Sequence, residues 1–238
     1  MSIAENIERV RECMIAACHR ANRESAEVTL MGVTKTISAF QIREAYDAGL
    51  RVFGENRVQE FGGKIDELRD LSDAEWHMIG HLQTNKAARA AELFGQIDSV
   101  DSLRLAEKLN SAAAEQDKTI PVLIEVNIAG EAAKSGLAPD SAELEQLLKA
   151  APRLARIAIR GLMTVPPYND DVEQSRPYFR KMRSLFEQIA TRNLAKVTMG
   201  TLSMGMSHDF EIAIEEGATC VRVGTAIFGE RPVARSKN

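Results

Sequence analysis

Lys35 is a lysine placed where a predicted strand ends. It lies in residues 31–36 (MGVTKT), shortly before a helix-start signal at Ser38. A lysine amine condenses with carbonyl compounds to form a Schiff base, and burial makes such an amine more nucleophilic. Most lysines are simply solvated, so the position of Lys35 alone does not establish a reactive site.

Two segments near the C-terminus combine glycine with hydroxyl side chains. One is residues 200–207 (GTLSMGMS), which include Ser203 and Gly205, and the other is the pair Gly224 and Thr225. Glycine lets a ligand approach the backbone closely, and the N–H groups that begin a helix bind anions such as phosphate. Taken alone, each segment is more typical of an ordinary glycine turn with a helix cap.

Arg222 and Asn56 are two further polar residues at predicted strand positions. Arg222 interrupts the apolar run of residues 220–223, and a charge buried in this way needs a partner or a ligand. Two explanations stay open at this point, namely an interior salt bridge, with Glu125 as a candidate partner, or a contact to a cofactor. Asn56 is either a turn former or another contact at the same edge.

His77 and His81 are four residues apart, which is a spacing that suits zinc on a helix. Here Gly80 and the strand-like residues 76–79 break the helical geometry, and no cysteine lies nearby. We therefore predict no metal site, and we expect His77 to be a hydrogen-bonded interior histidine and His81 a loop residue. No catalytic Ser-His-Asp set can be assigned from the order of residues.

The elements that must position these residues are eight strand-then-helix units, which follow an N-terminal amphipathic helix over residues 2–21. The predicted strands cover residues 28–34, 51–54, 76–79, 96–100, 121–128, 157–163, 196–199 and 220–223. Eight such units without a linker favour one (β/α)8 TIM-type barrel. An open doubly wound sheet is the alternative, but no GxGxxG motif follows the first strand. We expect residues 1–238 to form a single domain.

A closed barrel brings the candidate residues together. Strand eight then neighbours strand one, so Lys35 lies on the same rim as the segments that follow strands seven and eight. In this fold the C-terminal strand ends carry the active site, and phosphate groups commonly bind after strands seven and eight. A phosphate-binding rim beside a strand-end lysine suits a phosphorylated aldehyde that is held as an imine.

The composition is that of a soluble globular protein in a reducing compartment. Of the 238 residues, 45% are hydrophobic and 27% are charged, and the net charge is −4. Lysine and arginine are scattered along the chain near acidic residues, so we expect no basic patch for a nucleic acid. Cys13, Cys18 and Cys220 form neither a disulfide framework nor a zinc motif. Because the sequence shows neither a signal-peptide pattern nor a run of about 18 apolar residues, we expect a cytoplasmic protein without a membrane partner.

Seven ordered motifs along nearly the whole chain closely resemble the pyridoxal phosphate homeostasis protein family, whose fold is similar to the barrel domain of alanine racemase. They are GVTKT, FGENRVQE, WHMIGHLQTNK, VLIEVNIAGEAAKSG, GLMTVPP, TLSMGMSHDFEIAI and VRVGTAIFGERP. The resemblance implies that Lys35 forms an aldimine with pyridoxal 5′-phosphate and that Arg222 faces the pyridine nitrogen. The other cofactor-binding residues that it implies are Asn56, Met163, Ser203, Gly205, Gly224 and Thr225.

The resemblance also implies what the protein does with the cofactor. An arginine opposite the pyridine nitrogen disfavours its protonation and weakens the ring as an electron sink, and the chain ends at Asn238 before any second catalytic domain. We therefore expect a monomeric carrier that takes part in pyridoxal phosphate homeostasis without robust amino-acid turnover, with PLP-dependent apoenzymes as candidate partners. The alternatives are a PLP-dependent amino-acid racemase and a Schiff-base aldolase.

Overall fold

The computed structural model describes residues 1–131 and 133–230, in which eight parallel strands close into a barrel. The strands are β1 (Thr29–Val33), β2 (Val52–Glu55), β3 (Glu75–Met78), β4 (Gln96–Val100), β5 (Ile120–Glu125), β6 (Ile157–Met163), β7 (Val197–Met206) and β8 (Cys220–Val223). Each strand pairs with the next, and β8 returns to β1 through the pairs Thr29 with Cys220 and Gly32 with Val223. The predicted (β/α)8 barrel is confirmed.

Helices connect the strands on the outside of the barrel. They are α1 (Ile3–Arg20), α2 (Ala39–Asp47), α3 (Val58–Gly62), α4 (Ala87–Leu93), α5 (Leu103–Glu115), α6 (Ala142–Ala150), α7 (Arg176–Ala190), α8 (Phe210–Glu215) and α9 (Thr225–Phe228). Short 3₁₀ turns at Ile65–Leu68, Thr84–Lys86 and Val172–Ser175 lie next to α3, α4 and α7 in the chain. Within the described residues, no helix has the length and apolar character that crossing a membrane requires.

The additional N-terminal helix is present and begins where the sequence predicts it. The Glu5 N–H donates to Ser2 Oγ at 3.2 Å and the Ser2 N–H donates to Glu5 Oε2 at 2.7 Å, so the two residues form a complete capping box. Asn6 Nδ2 donates to the Ile227 carbonyl at 2.8 Å. This bond ties α1 to α9, which directly follows β8 at the C-terminal rim.

Strand β7 is longer than predicted, because residues 200–206 continue the strand instead of forming a glycine loop. On the neighbouring strand, Gly161 has a φ of +155°, and a Cβ there would overlap the Thr201 carbonyl oxygen. The register between β6 and β7 also shifts between Ile159 and Gly161. The close approach that only glycine permits therefore lets the two strands stay paired through Met163 and Ser203.

Candidate functional site

A cavity of about 370 Å³ opens at the C-terminal ends of the strands. This volume lies within the range of small-molecule sites, which are mostly apolar with a few placed polar groups. The apolar side chains that line it are Val33, Ile79, Val165 and Met206. Polar and glycine residues complete the lining, and they are Lys35, Asn56, Tyr168, Ser207, His208, Arg222, Gly224 and Thr225.

Five of the eight residues implied as cofactor contacts line this one cavity, and they are Lys35, Asn56, Arg222, Gly224 and Thr225. The other three lie next to it without lining it. Met163 and Ser203 are buried and paired in register between β6 and β7. Gly205 has a φ of +91°, and a Cβ there would lie 2.5 Å from Ala213 Cβ, so this glycine lets α8 pack on β7.

Lys35 lies in a tight turn that directly follows β1. The Ile37 N–H donates to the Thr34 carbonyl at 3.0 Å, which closes the turn around Lys35 and Thr36. Thr36 has a φ of +64°, a left-handed conformation that a β-branched residue rarely adopts. The turn leaves Lys35 half-buried and lining the cavity.

Arg222 brings a buried cation to the floor of the cavity. It is 3% exposed, and its guanidinium donates to Ser203 Oγ at 2.6 Å and to the Thr164 carbonyl at 2.7 Å. Burial lowers the pKa of Arg222 below its usual range, and nearby acidic groups only partly offset this. In the described part of the chain Arg222 forms no ion pair with Glu125, so the salt bridge considered from the sequence is not formed.

Glu125, at the end of β5, is a second polar group of the interior. Its Oε2 atom is buried and has no hydrogen-bond partner among the described residues. Burial, together with repulsion from Asp101, raises the pKa of Glu125 to about 7, although Arg222 and His81 act in the opposite direction. The carboxyl group is therefore partly protonated near neutral pH.

The ends of β7 and β8 meet at a cluster of backbone donors. The N–H groups of Gly224 and Ala226 both donate to Ser207 Oγ, at 3.1 and 3.3 Å. Two converging N–H groups beside hydroxyl side chains form a cradle suited to an oxygen of an anion. Gly224 lies beside β1, because a Cβ built on it would be in ordinary contact with Val33 Cβ, at 3.4 Å.

Ser207 was not among the residues implied by the motifs, although it lies in the same motif as Ser203. The two serines differ in depth: Ser203 is buried within β7, where it accepts from Arg222, whereas Ser207 directly follows Met206, the last residue of β7. The β7–β8 register shifts between Ser203 and Met206. That shift depends on pairing between distant segments and has no local sequence signal.

Two aromatic side chains flank the open side of the cavity. The rings of Tyr168 and His208 are tilted with their centroids 5.0 Å apart, and Tyr168 is 71% exposed. His208 Nε2 lies 2.9 Å from the Asn169 carbonyl oxygen. The turn after β7 is thus joined to the loop after β6, and nothing in the spacing of these residues indicates this contact.

The two histidines considered for a metal both contact carboxylates. His77 Nδ1 lies 3.3 Å from Asp98 Oδ2, and His81 Nδ1 lies 2.9 Å from Asp101 Oδ2. Burial opposes protonation of His77, but Asp98 and Glu75 outweigh it and raise the pKa of His77 to about 9. The prediction that His77 is a hydrogen-bonded interior histidine is confirmed.

The chain is similar to named proteins along nearly its full length. The family described as alanine racemase, N-terminal domain, matches residues 2–232. A protein of Aquifex aeolicus named pyridoxal phosphate homeostasis protein is 46% identical over 97% of this chain and 99% of that protein. A protein of Escherichia coli strain K12 with the same name is 42% identical over 98% of each chain.

Solved structures give the same result. PipY of Synechococcus elongatus, described with PLP bound, has a TM-score of 0.83 and 37% identity, covering 96% of this chain and 100% of PipY. An alanine racemase of Corynebacterium glutamicum has a TM-score of 0.70 at 19% identity, and the match covers 98% of this chain and 62% of that enzyme, which shows a shared fold alone. The chain belongs to the alanine racemase N-terminal domain family and, within it, to the pyridoxal phosphate homeostasis proteins.

Proposed function

We propose that this protein binds pyridoxal 5′-phosphate covalently through Lys35 and takes part in the homeostasis of that cofactor, without robust turnover of amino acids. The observation that carries the proposal is the shared cavity of Lys35, Arg222 and the backbone donors at the ends of β7 and β8. The names of the relatives and the PLP-bound PipY structure support the choice of ligand.

The donor set of the cavity fits each part of this cofactor. When bound, pyridoxal phosphate supplies an aldehyde, which condenses reversibly with a primary amine. Lys35 would hold the aldehyde end, while the hydroxyl groups of Ser207 and Thr225 would hold the phosphate. The N–H of Gly224 would join them by exchanging Ser207 Oγ for a phosphate oxygen as its acceptor. Arg222 would face the ring nitrogen, and Val33, Ile79, Val165 and Met206 provide apolar walls for the ring.

The surroundings of Arg222 favour holding the cofactor over transforming a substrate. A guanidinium carries only N–H donors, so it can donate to a ring nitrogen but cannot stabilise a proton on it. The two neighbours of Arg222, Ser203 Oγ and the Thr164 carbonyl, are neutral acceptors that fix the guanidinium in place. An unprotonated ring nitrogen withdraws electrons weakly, which disfavours carbanion chemistry on amino acids.

Dialysis of the protein after loading with pyridoxal phosphate tests the proposal. We expect the wild type to stay coloured and Lys35→Ala to lose the cofactor, because the covalent link is gone. Lys149→Ala is the matched control, since Lys149 is an exposed lysine in the last turn of α6. Equal retention by Lys35→Ala and the wild type would contradict covalent attachment at Lys35.

The enzyme alternatives make different predictions for the same preparation. Incubation with single-enantiomer amino acids, followed by chiral chromatography, should show no sustained change of chirality. Sustained turnover by the wild type that is lost in Lys35→Ala would contradict the carrier proposal and support the racemase alternative. A Schiff-base aldolase would be colourless as purified and would not bind pyridoxal phosphate.

We further propose that the carrier works as a cytoplasmic monomer. Free cysteines Cys13, Cys18 and Cys220 suit a reducing compartment. In the described residues, the exposed large apolar side chains are Met1, Ile15, Phe40 and Tyr168. Light scattering should give the mass of one chain, and localisation of a tagged protein should show cytoplasmic signal; a dimer mass or an envelope signal would contradict these proposals.

We also propose that PLP-dependent apoenzymes receive the cofactor from this protein. The open side of the cavity, beside the exposed Tyr168, supports release toward a partner. Mixing the loaded protein with an apoenzyme should restore the activity of the apoenzyme faster than adding free pyridoxal phosphate does. The free cofactor is supplied at the concentration that the loaded protein releases into solution at dialysis equilibrium. Equal rates would mean that the apoenzyme captures only cofactor released into solution.

A further inference from the structure

A buried ion pair lies directly beside the turn that carries Lys35. Lys64 Nζ is 2.6 Å from Glu55 Oε1, and their side chains are 10% and 0% exposed. Burial raises the pKa of Glu55, which Lys64 and Thr34 partly offset. Buried ion pairs often add no more stability than apolar residues of the same size, so the position of this pair calls for a role other than stability.

The Lys64 ammonium binds both ends of the Lys35 turn. It donates to the Thr34 carbonyl at 2.9 Å and to the Ile37 carbonyl at 3.3 Å. Thr34 Oγ1 in turn donates to Glu55 Oε1 at 2.6 Å. The two residues that flank Lys35 and Thr36 are therefore fixed to one charged group.

A third acidic residue fixes the middle of the same turn. The Thr36 N–H donates to Glu60 Oε1, and that oxygen lies 3.5 Å from Lys64 Nζ. Thr36 has the left-handed φ of +64°, which a threonine keeps only when its surroundings enforce it. Without these bonds, the turn would relax toward a conformation with negative φ and move the neighbouring Lys35.

We propose that Lys64, supported by Glu55 and Glu60, is a positioning residue that fixes the Lys35 amine at the cavity. This inference rests on the proposed function and names a part of it that the motifs do not assign. Lys64 acts through the backbone of the Lys35 turn and does not itself bind the cofactor. Its loss leaves the buried Glu55 without its cation and so lowers stability as well, and the positioning role is read from covalent capture by the folded variant.

Covalent capture of pyridoxal phosphate, measured by stopped-flow absorbance and by borohydride trapping on Lys35, tests the proposal. Lys64→Met keeps the length of the side chain and removes the charge and its donors. We expect capture to weaken about tenfold, the change that loss of a charge-assisted hydrogen bond typically brings, and the pH profile of the visible absorbance to shift. Lys118→Met is the matched control, because Lys118 also donates to a backbone carbonyl, that of Ala91, away from the turn.

A rescue variant separates positioning from a general structural role. Thr36→Gly in the Lys64→Met background should restore most of the capture, because glycine adopts positive φ without strain. Glu60→Ala removes the acceptor of the Thr36 N–H, together with the 3.5 Å contact to Lys64 Nζ, and should weaken capture as well. If Lys64→Met does not fold, Glu60→Ala decides the question alone.

The outcomes distinguish this inference from the proposed function. If the wild type traps no cofactor on Lys35, the proposed function fails. The positioning role is overturned if the wild type traps the cofactor and both Lys64→Met and Glu60→Ala capture it like the control Lys118→Met. The quantities compared are the rate of capture and the pH profile of the visible absorbance. Failure of Thr36→Gly to rescue would likewise overturn it, because the loss would then not act through the turn.

Discussion

Raising the pH from about 6.5 to 9 should destabilise the folded protein through His77. The His77 side chain is 12% exposed and its Nδ1 lies 3.3 Å from Asp98 Oδ2, which belongs to a buried carboxylate. Burial alone would lower the pKa of His77, but attraction to Asp98 and hydrogen bonds with Asp98 and Glu75 raise it to about 9. An unfolded histidine has a pKa of about 6.5.

The folded state therefore binds this proton more tightly than the unfolded state does. The resulting stabilisation is fully present below about pH 6.5 and disappears as the pH rises through about 9. At about 1.4 kcal/mol for each factor of ten in proton affinity, the loss is about 3 kcal/mol. Solvent at the exposed edge of the ring reduces this to about 2 kcal/mol.

Urea unfolding of the cofactor-free protein at several pH values between 6 and 9 measures this loss. His77→Gln keeps a donor toward Asp98 but cannot titrate, so its free energy of unfolding should change much less over this range. His19→Gln is the control, because His19 is an exposed histidine in the last turn of α1. Equal pH dependence in the wild type and His77→Gln would refute the reasoning.

Three further predictions test the packing and the polar groups around the site. Gly161→Ala should lower the free energy of unfolding by about 3 kcal/mol or more, because its Cβ would overlap a β7 backbone oxygen. Gly200→Ala is the control and should lower it only slightly, so similar shifts of the melting temperature in the two variants would contradict this prediction. Glu125→Gln should raise the free energy of unfolding by about 1–3 kcal/mol above pH 7 and change it little near pH 4. The reason is that the raised pKa of Glu125 makes the wild type less stable as the pH rises from 4.5 through 7. No gain at pH 8 would show that the charged carboxylate is not destabilising. Ser207→Ala with Thr225→Val should release pyridoxal phosphate faster than the wild type does, and unchanged release would place the phosphate elsewhere.

The barrel could be predicted from the sequence because its signals are local. Alternating apolar residues mark strands such as β5 and β6, and capping boxes at Ser2 and Ser38 mark where α1 and α2 begin. The end of β7 could not be predicted, since glycine, threonine and serine are typical of loops. Its strand conformation depends on contact with Gly161, a residue on another strand.

The candidate site was predictable at the residues that follow strand ends and not at those that depend on register or tertiary contact. Lys35 and Arg222 follow or interrupt apolar runs, and the structure brings them into one cavity. Ser207 reaches the cavity because β7 extends to Met206, and this extension depends on pairing with the neighbouring strands. Lys64 meets the Lys35 turn through a contact that spans 30 residues, which no local pattern indicates.

Borohydride reduction of the loaded protein, followed by peptide mass mapping, tests the central claim most directly. Reduction turns a reversible imine into a stable amine, so the mass of the cofactor stays on the lysine that held it. We predict that the added mass lies on the peptide containing Lys35 in the wild type and in Lys149→Ala, and that it is absent in Lys35→Ala. Added mass on a different lysine, or none in the wild type, would contradict the account.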